Sequence, residues 1–273
     1  MNRIILYLLP LIALLLVACI PPANNVPTSI PPTSTSLPVV PTETLTPIPT
    51  ATFTPSATAT PQPLCFRIMP LGDSITFGEP DLGYGGYRNL LGTLLTNDGY
   101  IIDFVGSQQN GIGLIPDPDN EGHPGWKISN IQNAIDSQGW LEIYQPDIIL
   151  LHIGTNDIRV GYAVYAPENL AALLDDILLR LPETHVIVAM IIPFWSGPID
   201  GHLAYNAAIT DIVASRGPRV SVVDMQSILL TGDFADAYHP NAQGYDKMAR
   251  AWETAILELE WESFPDQACP ANR

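Results

Sequence analysis

Short apolar segments alternate with longer amphipathic segments along the chain from Cys65 onward. Five of the short segments are apolar along most of their length rather than at every second position, which is typical of parallel strands covered on both faces of a sheet. We predict a strand at each of them. They are Phe66–Pro70, Ile101–Val105, Asp147–Ile153, His185–Ile192 and Val220–Val223.

The amphipathic segments between these strands carry apolar residues at helical spacing. In the first of them, Leu90, Leu91, Leu94 and Leu95 fall on one face, and another opens with Pro167, a residue favoured in the first turn of a helix. The predicted helices are Tyr87–Thr96, Ile128–Ile135, Pro167–Leu181, His202–Ser215 and Ala242–Leu259. Alternating strands and helices predict an α/β fold, a three-layer α/β/α sandwich around a five-stranded parallel sheet.

The N-terminal segment of the chain differs from this pattern and is predicted to be a targeting segment. Residues 4–17 are almost wholly apolar but fall short of the roughly 20 residues that a membrane-spanning helix needs. They lead into Leu-Val-Ala-Cys, which is similar to the bacterial lipobox and would make Cys19 the lipidated N-terminus. We therefore predict a lipoprotein signal peptide over residues 1–19. An ordinary signal peptide, or an anchor helix that happens to contain a cysteine, is the alternative.

Residues 20–64 form a linker of Pro, Thr, Ser and Ala in which Glu43 is the single charge. Proline favours extended polyproline geometry, so we predict a semi-rigid spacer whose Ser and Thr residues suit O-glycosylation. It would hold a catalytic-sized domain, residues 65–273, off a membrane or cell wall, although a passive tail would have the same sequence. The expected location is outside the cytoplasm, as a membrane-anchored lipoprotein on the bacterial cell surface.

Cysteine content, charge and residue spacing add further expectations. If Cys19 carries lipid, Cys65 and Cys269 remain, and in an oxidising compartment they are expected to form a disulfide that joins the ends of the domain. The net charge of −17 argues against nucleic acid as a partner, because binding phosphates requires clustered Lys and Arg. No metal-ligand spacing is visible, and the domain is expected to act as a monomer.

Gly72-Asp73-Ser74 follows the first predicted strand, at the edge of the sheet where α/β proteins bind ligands. Alone, such a tripeptide is common in turns. A serine hydroxyl also needs a base within hydrogen-bonding reach before it can act as a nucleophile. His239 follows the last predicted strand, and Asp236, three residues earlier, can fold back to orient the imidazole.

The other four histidines are weaker candidates for the base. His152 lies inside an apolar segment and is predicted to be a buried imidazole with satisfied hydrogen bonds. His185 begins a strand and His202 begins a helix, and both are predicted to be surface residues. His123 is expected to line the pocket only as a helper.

Ester cleavage also requires donors for the oxyanion that develops in the transition state. Gly-Thr-Asn-Asp follows the third predicted strand, and the side-chain amide of Asn156 in it is a candidate donor. Glu-Gly-His-Pro-Gly-Trp, residues 121–126, supplies a candidate glycine amide at Gly125 or Gly122. Each motif alone would be interpreted as a turn.

The order Gly-Asp-Ser, glycine, Gly-Thr-Asn-Asp and Asp-x-x-His-Pro resembles the SGNH hydrolases, also called the GDSL esterase/lipase superfamily, over residues 66–261. The resemblance implies an SGNH, flavodoxin-like sheet and a reaction without cofactor or metal. It further implies Ser74 as nucleophile, His239 as base and Asp236 as its orienting residue. The oxyanion hole would consist of the Ser74 amide, the Asn156 side chain and a glycine amide. Gly125 is preferred for that glycine, with Gly122 as the alternative.

Within that superfamily, Glu-Gly-His-Pro-Gly-Trp and His-Pro-Asn-Ala-Gln-Gly-Tyr look most like carbohydrate esterase family 3, the acetyl xylan esterases. The resemblance implies an esterase that removes acetyl groups from an acylated carbohydrate or a small ester. A lipase, lysophospholipase or thioesterase of the same superfamily is the first alternative. An inactive carbohydrate-binding surface module is the second, but its mark would be a missing Ser, Asn or His, and all three are present.

Overall fold

A computed structural model describes residues 65–80 and 83–259 of the chain. The predicted signal peptide with Cys19, the linker and Cys269 lie outside the described residues. Lipidation at Cys19 and pairing of Cys65 with Cys269 therefore stay predictions.

One sheet runs through the centre of the domain, and all five predicted strands are present in it. They are β1 (Cys65–Gly72), β2 (Ile101–Phe104), β5 (Ile148–His152), β6 (His185–Ala189) and β7 (Val220–Val223). These strands pair in parallel in the order β2-β1-β5-β6-β7, which is the order of a flavodoxin-like sheet. The α/β prediction with five parallel strands is confirmed.

Two further short strands were not predicted. β3 (Gln108–Gln109) and β4 (Asp119–Gly122) pair antiparallel, and β4 extends the sheet by pairing in parallel with the end of β1 at Leu71 and Gly72. Their residues are polar, so no hydrophobic pattern marks them in the sequence. Their position matters because β4 brings the Gly122–Trp126 segment to the carboxyl end of β1.

Helices cover both faces of the sheet and confirm the three-layer arrangement. Along β5, Ile149 and Leu151 point into one core cluster and Ile148 and Leu150 into the other, because successive side chains of a strand face opposite sides. The helices are α1 (Ser74–Phe77), α2 (Arg88–Asn97), α3 (Ile128–Gln138), α4 (Trp140–Tyr144), α5 (Thr155–Arg159), α6 (Ala166–Arg180), α7 (His202–Ala214) and α8 (Ala242–Leu257). Helices α3, α6 and α7 pack on the first cluster, and α2 and α8 on the second.

The five predicted helices correspond to α2, α3, α6, α7 and α8, with ends that differ by at most three residues. The short helices α1, α4 and α5 were not predicted. Over residues 65–80 and 83–259, none of the helices combines the length and the apolar character that a membrane span requires.

Candidate active site

Ser74 is the first residue of α1, directly after β1 ends at Gly72. Asp73 caps this short helix, because its Oδ1 accepts a hydrogen bond from the amide of Ile75 at 3.0 Å. A side chain at Gly72 would collide with the carbonyl oxygen of His152 on β5, so glycine allows the two strand ends to approach each other. The sequence thus holds Ser74 at the carboxyl edge of the sheet.

His239 and Asp236 reach Ser74 from the segment between β7 and α8. The Nε2 atom of His239 lies 2.9 Å from the Oγ atom of Ser74, and its Nδ1 atom lies 2.8 Å from Oδ2 of Asp236. These contacts form one continuous chain of hydrogen bonds from carboxylate to imidazole to hydroxyl. The structure therefore brings together three residues that lie up to 165 positions apart in sequence.

The loop that carries His239 is organised by Asp236 itself. Its Oδ1 accepts hydrogen bonds from the amides of Tyr238 and His239, both at 2.8 Å. Burial raises the pKa of Asp236, but the hydrogen bond with the His239 ring and the two amides outweigh that effect, so the pKa lies below the ordinary value. Asp236 is therefore an anion at neutral pH, which is the form that can accept the Nδ1 proton.

Asn156 lies on α5, which follows β5 at the same edge of the sheet. Its Nδ2 atom donates to the carbonyl oxygen of Trp126 at 2.9 Å and lies 3.5 Å from Oδ2 of Asp73. Its Oδ1 atom accepts from Nη2 of Arg159 at 3.2 Å. These contacts assign the amide nitrogen and oxygen and hold the side chain beside Ser74.

Between the two glycines considered for the oxyanion hole, the geometry favours Gly125. Gly125 has a φ of +79° and lines the same cavity as Ser74 and Asn156. Gly122 is buried, and its amide already donates to Oδ1 of Asn120 at 2.9 Å. A side chain at Gly122 would strike the backbone of Phe77, so this glycine is needed for packing.

A small open cavity of about 230 Å³ surrounds the Ser74 hydroxyl. Its lining includes Glu79, Arg159 and Tyr238 as well as Gly125, Asn156 and His239. Oε2 of Glu79 lies 3.7 Å from Nε2 of His239. In the part of the chain that the structure describes, there is no group of three or more His, Cys, Asp or Glu side chains suited to a metal ion.

Three of these neighbours were not identified from the sequence: Asp73 as a buried carboxyl, and Glu79 and Arg159 as cavity residues. The signal for Arg159 was its place three residues after Asn156, which puts both on one face of a helix. No sequence signal marked Glu79.

The remaining histidines give a mixed result. His152 is buried as predicted, and its burial lowers its pKa to about 4, so the imidazole is neutral. The predicted satisfied hydrogen bonding is wrong, because Nε2 accepts from the amide of Ile192 at 3.4 Å but Nδ1 has no partner among the described residues. The surface positions predicted for His185 and His202 are wrong, because they are 4% and 0% exposed. In His202, Nε2 lies 3.2 Å from the carbonyl oxygen of Ile191, an interaction inside the fold.

His123 stands apart from the cavity that surrounds Ser74. Its Nε2 atom lies 2.6 Å from Oε1 of the buried Glu121, and its ring stacks on the rings of Trp126 and Trp140 at centroid distances of 3.9 and 4.9 Å. His123 therefore packs within its own segment and does not line the cavity, contrary to the expected helper role.

Asp73 leads to a prediction about stability and pH. Burial raises its pKa from 3.8 to about 7. A carboxyl whose pKa is higher in the folded state than in the unfolded chain stabilises the fold fully at low pH, and this contribution is lost as pH rises through about 7. Asp73→Asn cannot ionise, and its side-chain oxygen can still cap α1. We expect the free energy of unfolding of the wild type, relative to this variant, to fall between about pH 4 and pH 7.

Denaturant unfolding of both proteins at several pH values tests this expectation. Comparing the two proteins removes the contributions of other titrating groups, such as the buried His152. A difference in unfolding free energy that stays constant over this pH range would show that Asp73 titrates as an ordinary carboxyl.

Several known proteins are similar to this chain in sequence or in fold. A "Multidomain esterase" of Ruminococcus flavefaciens is 34% identical over 235 residues, which cover 76% of this chain and 30% of that protein. The chain thus spans less than a third of the length of this relative. A family 3 carbohydrate esterase of Clostridium thermocellum superposes with a TM-score of 0.65 at 36% identity, covering 73% of this chain and 99% of that one. A carbohydrate esterase family 3 structure from Talaromyces cellulolyticus superposes with a TM-score of 0.61 at 29% identity, covering 71% of this chain and 97% of that one.

The family model of GDSL-like lipases and acylhydrolases matches residues 71–247. That range is more than half of the chain and includes the Ser74, Gly125, Asn156, Asp236 and His239 positions. The match, the sheet order and the hydrogen-bonded site lead to one conclusion: the chain belongs to the GDSL-like lipase/acylhydrolase family.

Proposed function

We propose that this chain is a serine esterase that removes short acyl groups, acetyl above all, from a carbohydrate such as xylan. The observation that carries the proposal is the chain of hydrogen bonds from Asp236 through His239 to Ser74, at 2.8 and 2.9 Å, which opens into a small cavity. Hydroxyl, imidazole and carboxylate in this order are the groups that acyl transfer to serine requires.

The proposed reaction has two halves. In the first, His239 takes the proton of Ser74 as Oγ attacks the ester carbonyl, and it then gives that proton to the departing alcohol. In the second, His239 takes a proton from the water that attacks the acyl-enzyme, and it returns a proton to Oγ of Ser74 as the bond from Oγ to the acyl group breaks and the acid is released. In both halves the Ser74 and Gly125 amides and the Asn156 side chain would donate to the oxyanion.

Two observations support a short acyl group on a carbohydrate. The cavity of about 230 Å³ is smaller than the roughly 300–1,000 Å³ of typical drug-sized ligand sites, which favours a small acyl group. The two similar structures described above are named as carbohydrate esterases of family 3, and both superpose over nearly their whole length.

A series of p-nitrophenyl esters with increasing chain length, run beside acetylated xylan, tests the proposal. We expect kcat/KM to be highest for the acetate and to fall at longer chains, because a cavity of about 230 Å³ is smaller than a typical drug-sized ligand site. We also expect acetate to be released from the xylan.

Ser74→Ala serves as the control for background hydrolysis in both assays. A preference for long acyl chains would instead support a lipase of the same family. Activity on p-nitrophenyl acetate without release of acetate from any acetylated polysaccharide would restrict the protein to small esters.

A further inference from the structure

Arg159 contacts two separate parts of the active site. Its Nη2 atom lies 3.2 Å from Oδ1 of Asn156, and its guanidinium carbon lies 5.4 Å from the centre of the Tyr238 ring. Asn156 belongs to the segment after β5, and Tyr238 directly precedes His239 in the segment after β7. One exposed side chain at the end of α5 therefore connects the proposed oxyanion donor to the loop of the proposed base.

The contact with Arg159 fixes how the Asn156 amide is oriented. In the observed orientation, Oδ1 accepts from a guanidinium and Nδ2 donates to the carbonyl oxygen of Trp126. Turning the amide over would place its nitrogen against a cation that can only donate and its oxygen against another oxygen. Both contacts therefore favour the orientation in which Nδ2 is the donor atom beside Ser74, with one N–H on Trp126 and the other in a long contact of 3.5 Å with Oδ2 of Asp73, which an oxyanion could replace.

The same contact strengthens that donor. A guanidinium that donates to the oxygen of an amide draws electron density towards the oxygen, so the N–H on the other side becomes a stronger hydrogen-bond donor.

We propose that Arg159 is a positioning residue of the oxyanion hole, which acts through the Asn156 side chain. The proposal rests on the proposed role of Asn156 as an oxyanion donor. It predicts that Arg159 contributes to kcat rather than to the binding of the ground-state ester, since the oxyanion exists only in the transition state.

Arg159→Met tests this by removing the charge and the donor while keeping a long side chain. With p-nitrophenyl acetate we expect kcat to fall about tenfold at nearly unchanged KM. Arg159→Lys keeps a charged donor and should recover part of the loss.

Lys127→Met is the matched control. It removes a cation that lies 4.6 Å from the centre of the Tyr162 ring and should leave kcat within about twofold of the wild type.

A double-mutant cycle with Asn156→Ala gives the decisive readout. If Arg159 acts through Asn156, adding Arg159→Met to Asn156→Ala should lower kcat only slightly further. An equal loss in both backgrounds, or a rise in KM with unchanged kcat, would overturn the positioning role and indicate direct contact with substrate. A normal kcat for Asn156→Ala alone would instead overturn the proposed oxyanion donor. Thermal unfolding of each variant excludes loss of fold as the cause.

Discussion

Replacing Ser74 with alanine is expected to lower kcat for p-nitrophenyl acetate by at least about 10⁴-fold while the domain remains folded. The variant loses the oxygen that attacks the ester, and His239 is left without the hydroxyl that lies 2.9 Å from its Nε2 atom. Residual hydrolysis would come from water at the surviving oxyanion donors. The helix that begins at Ser74 should persist, because its cap is the side chain of Asp73.

Ser215→Ala is a suitable control for this experiment. Ser215 directly follows α7, and its hydroxyl donates to the carbonyl oxygen of Ile212 and accepts from Nη1 of Arg216, so its loss removes two exposed hydrogen bonds far from the cavity around Ser74. Both variants should unfold at the wild-type temperature to within a few degrees. Retention of a tenth or more of the wild-type kcat by Ser74→Ala would mean that another group attacks the ester.

The positions of the main strands and helices could be predicted because their stabilising pattern is local in sequence. Every residue of β5 and β6 is buried, and such continuous apolar segments reveal a strand covered on both faces. The helices α6 and α8 each bury one stripe of apolar residues, which periodicity detects directly. The fold class followed from this alternation alone.

The short elements could not be predicted, because their stabilisation comes from tertiary contacts. Strand β4 has the sequence Asp-Asn-Glu-Gly, which favours a turn, yet it pairs with the end of β1. Within it, Glu121 is fully buried and accepts hydrogen bonds from the amide and hydroxyl of Ser107. Such compensation for a buried carboxylate is invisible until the chain is folded.

The same limit applies to the site. The residues Ser74, Asn156 and His239 stand out because each follows a strand, and the carboxyl ends of parallel strands meet at one edge of the sheet. His185 and His202 were predicted to be exposed because the ends of strands and helices commonly are. In this fold both side chains are buried. Orientation of the Asn156 amide by Arg159 depends on side-chain geometry that no sequence pattern records.

Asp236→Asn is expected to reduce kcat at neutral pH by about 10³- to 10⁴-fold, the second-largest effect in this site. The Asp236 carboxylate accepts the Nδ1 proton of His239 at 2.8 Å, which leaves Nε2 unprotonated and able to take the Ser74 proton. The asparagine can present an NH₂ group to Nδ1 instead. The imidazole then carries its proton on Nε2, where it cannot act as the base.

Asp236→Asn is not expected to change the shape of the loop that carries His239. The amides of Tyr238 and His239 donate to Oδ1 of Asp236, and an asparagine oxygen at the same position can accept both bonds. The loop should therefore keep its shape while the carboxylate is lost, so a fall in kcat reports on the imidazole tautomer and not on misfolding.

Steady-state kinetics with p-nitrophenyl acetate at neutral pH, beside Asp224→Asn, completes the test. Asp224 is an exposed aspartate that follows β7 and accepts from the amide and hydroxyl of Ser227, so it matches Asp236 in its bonding to a local loop. We expect the Asp224 variant to retain kcat within about twofold. If Asp236→Asn did the same, Asp236 would not be the group that fixes the imidazole tautomer of His239.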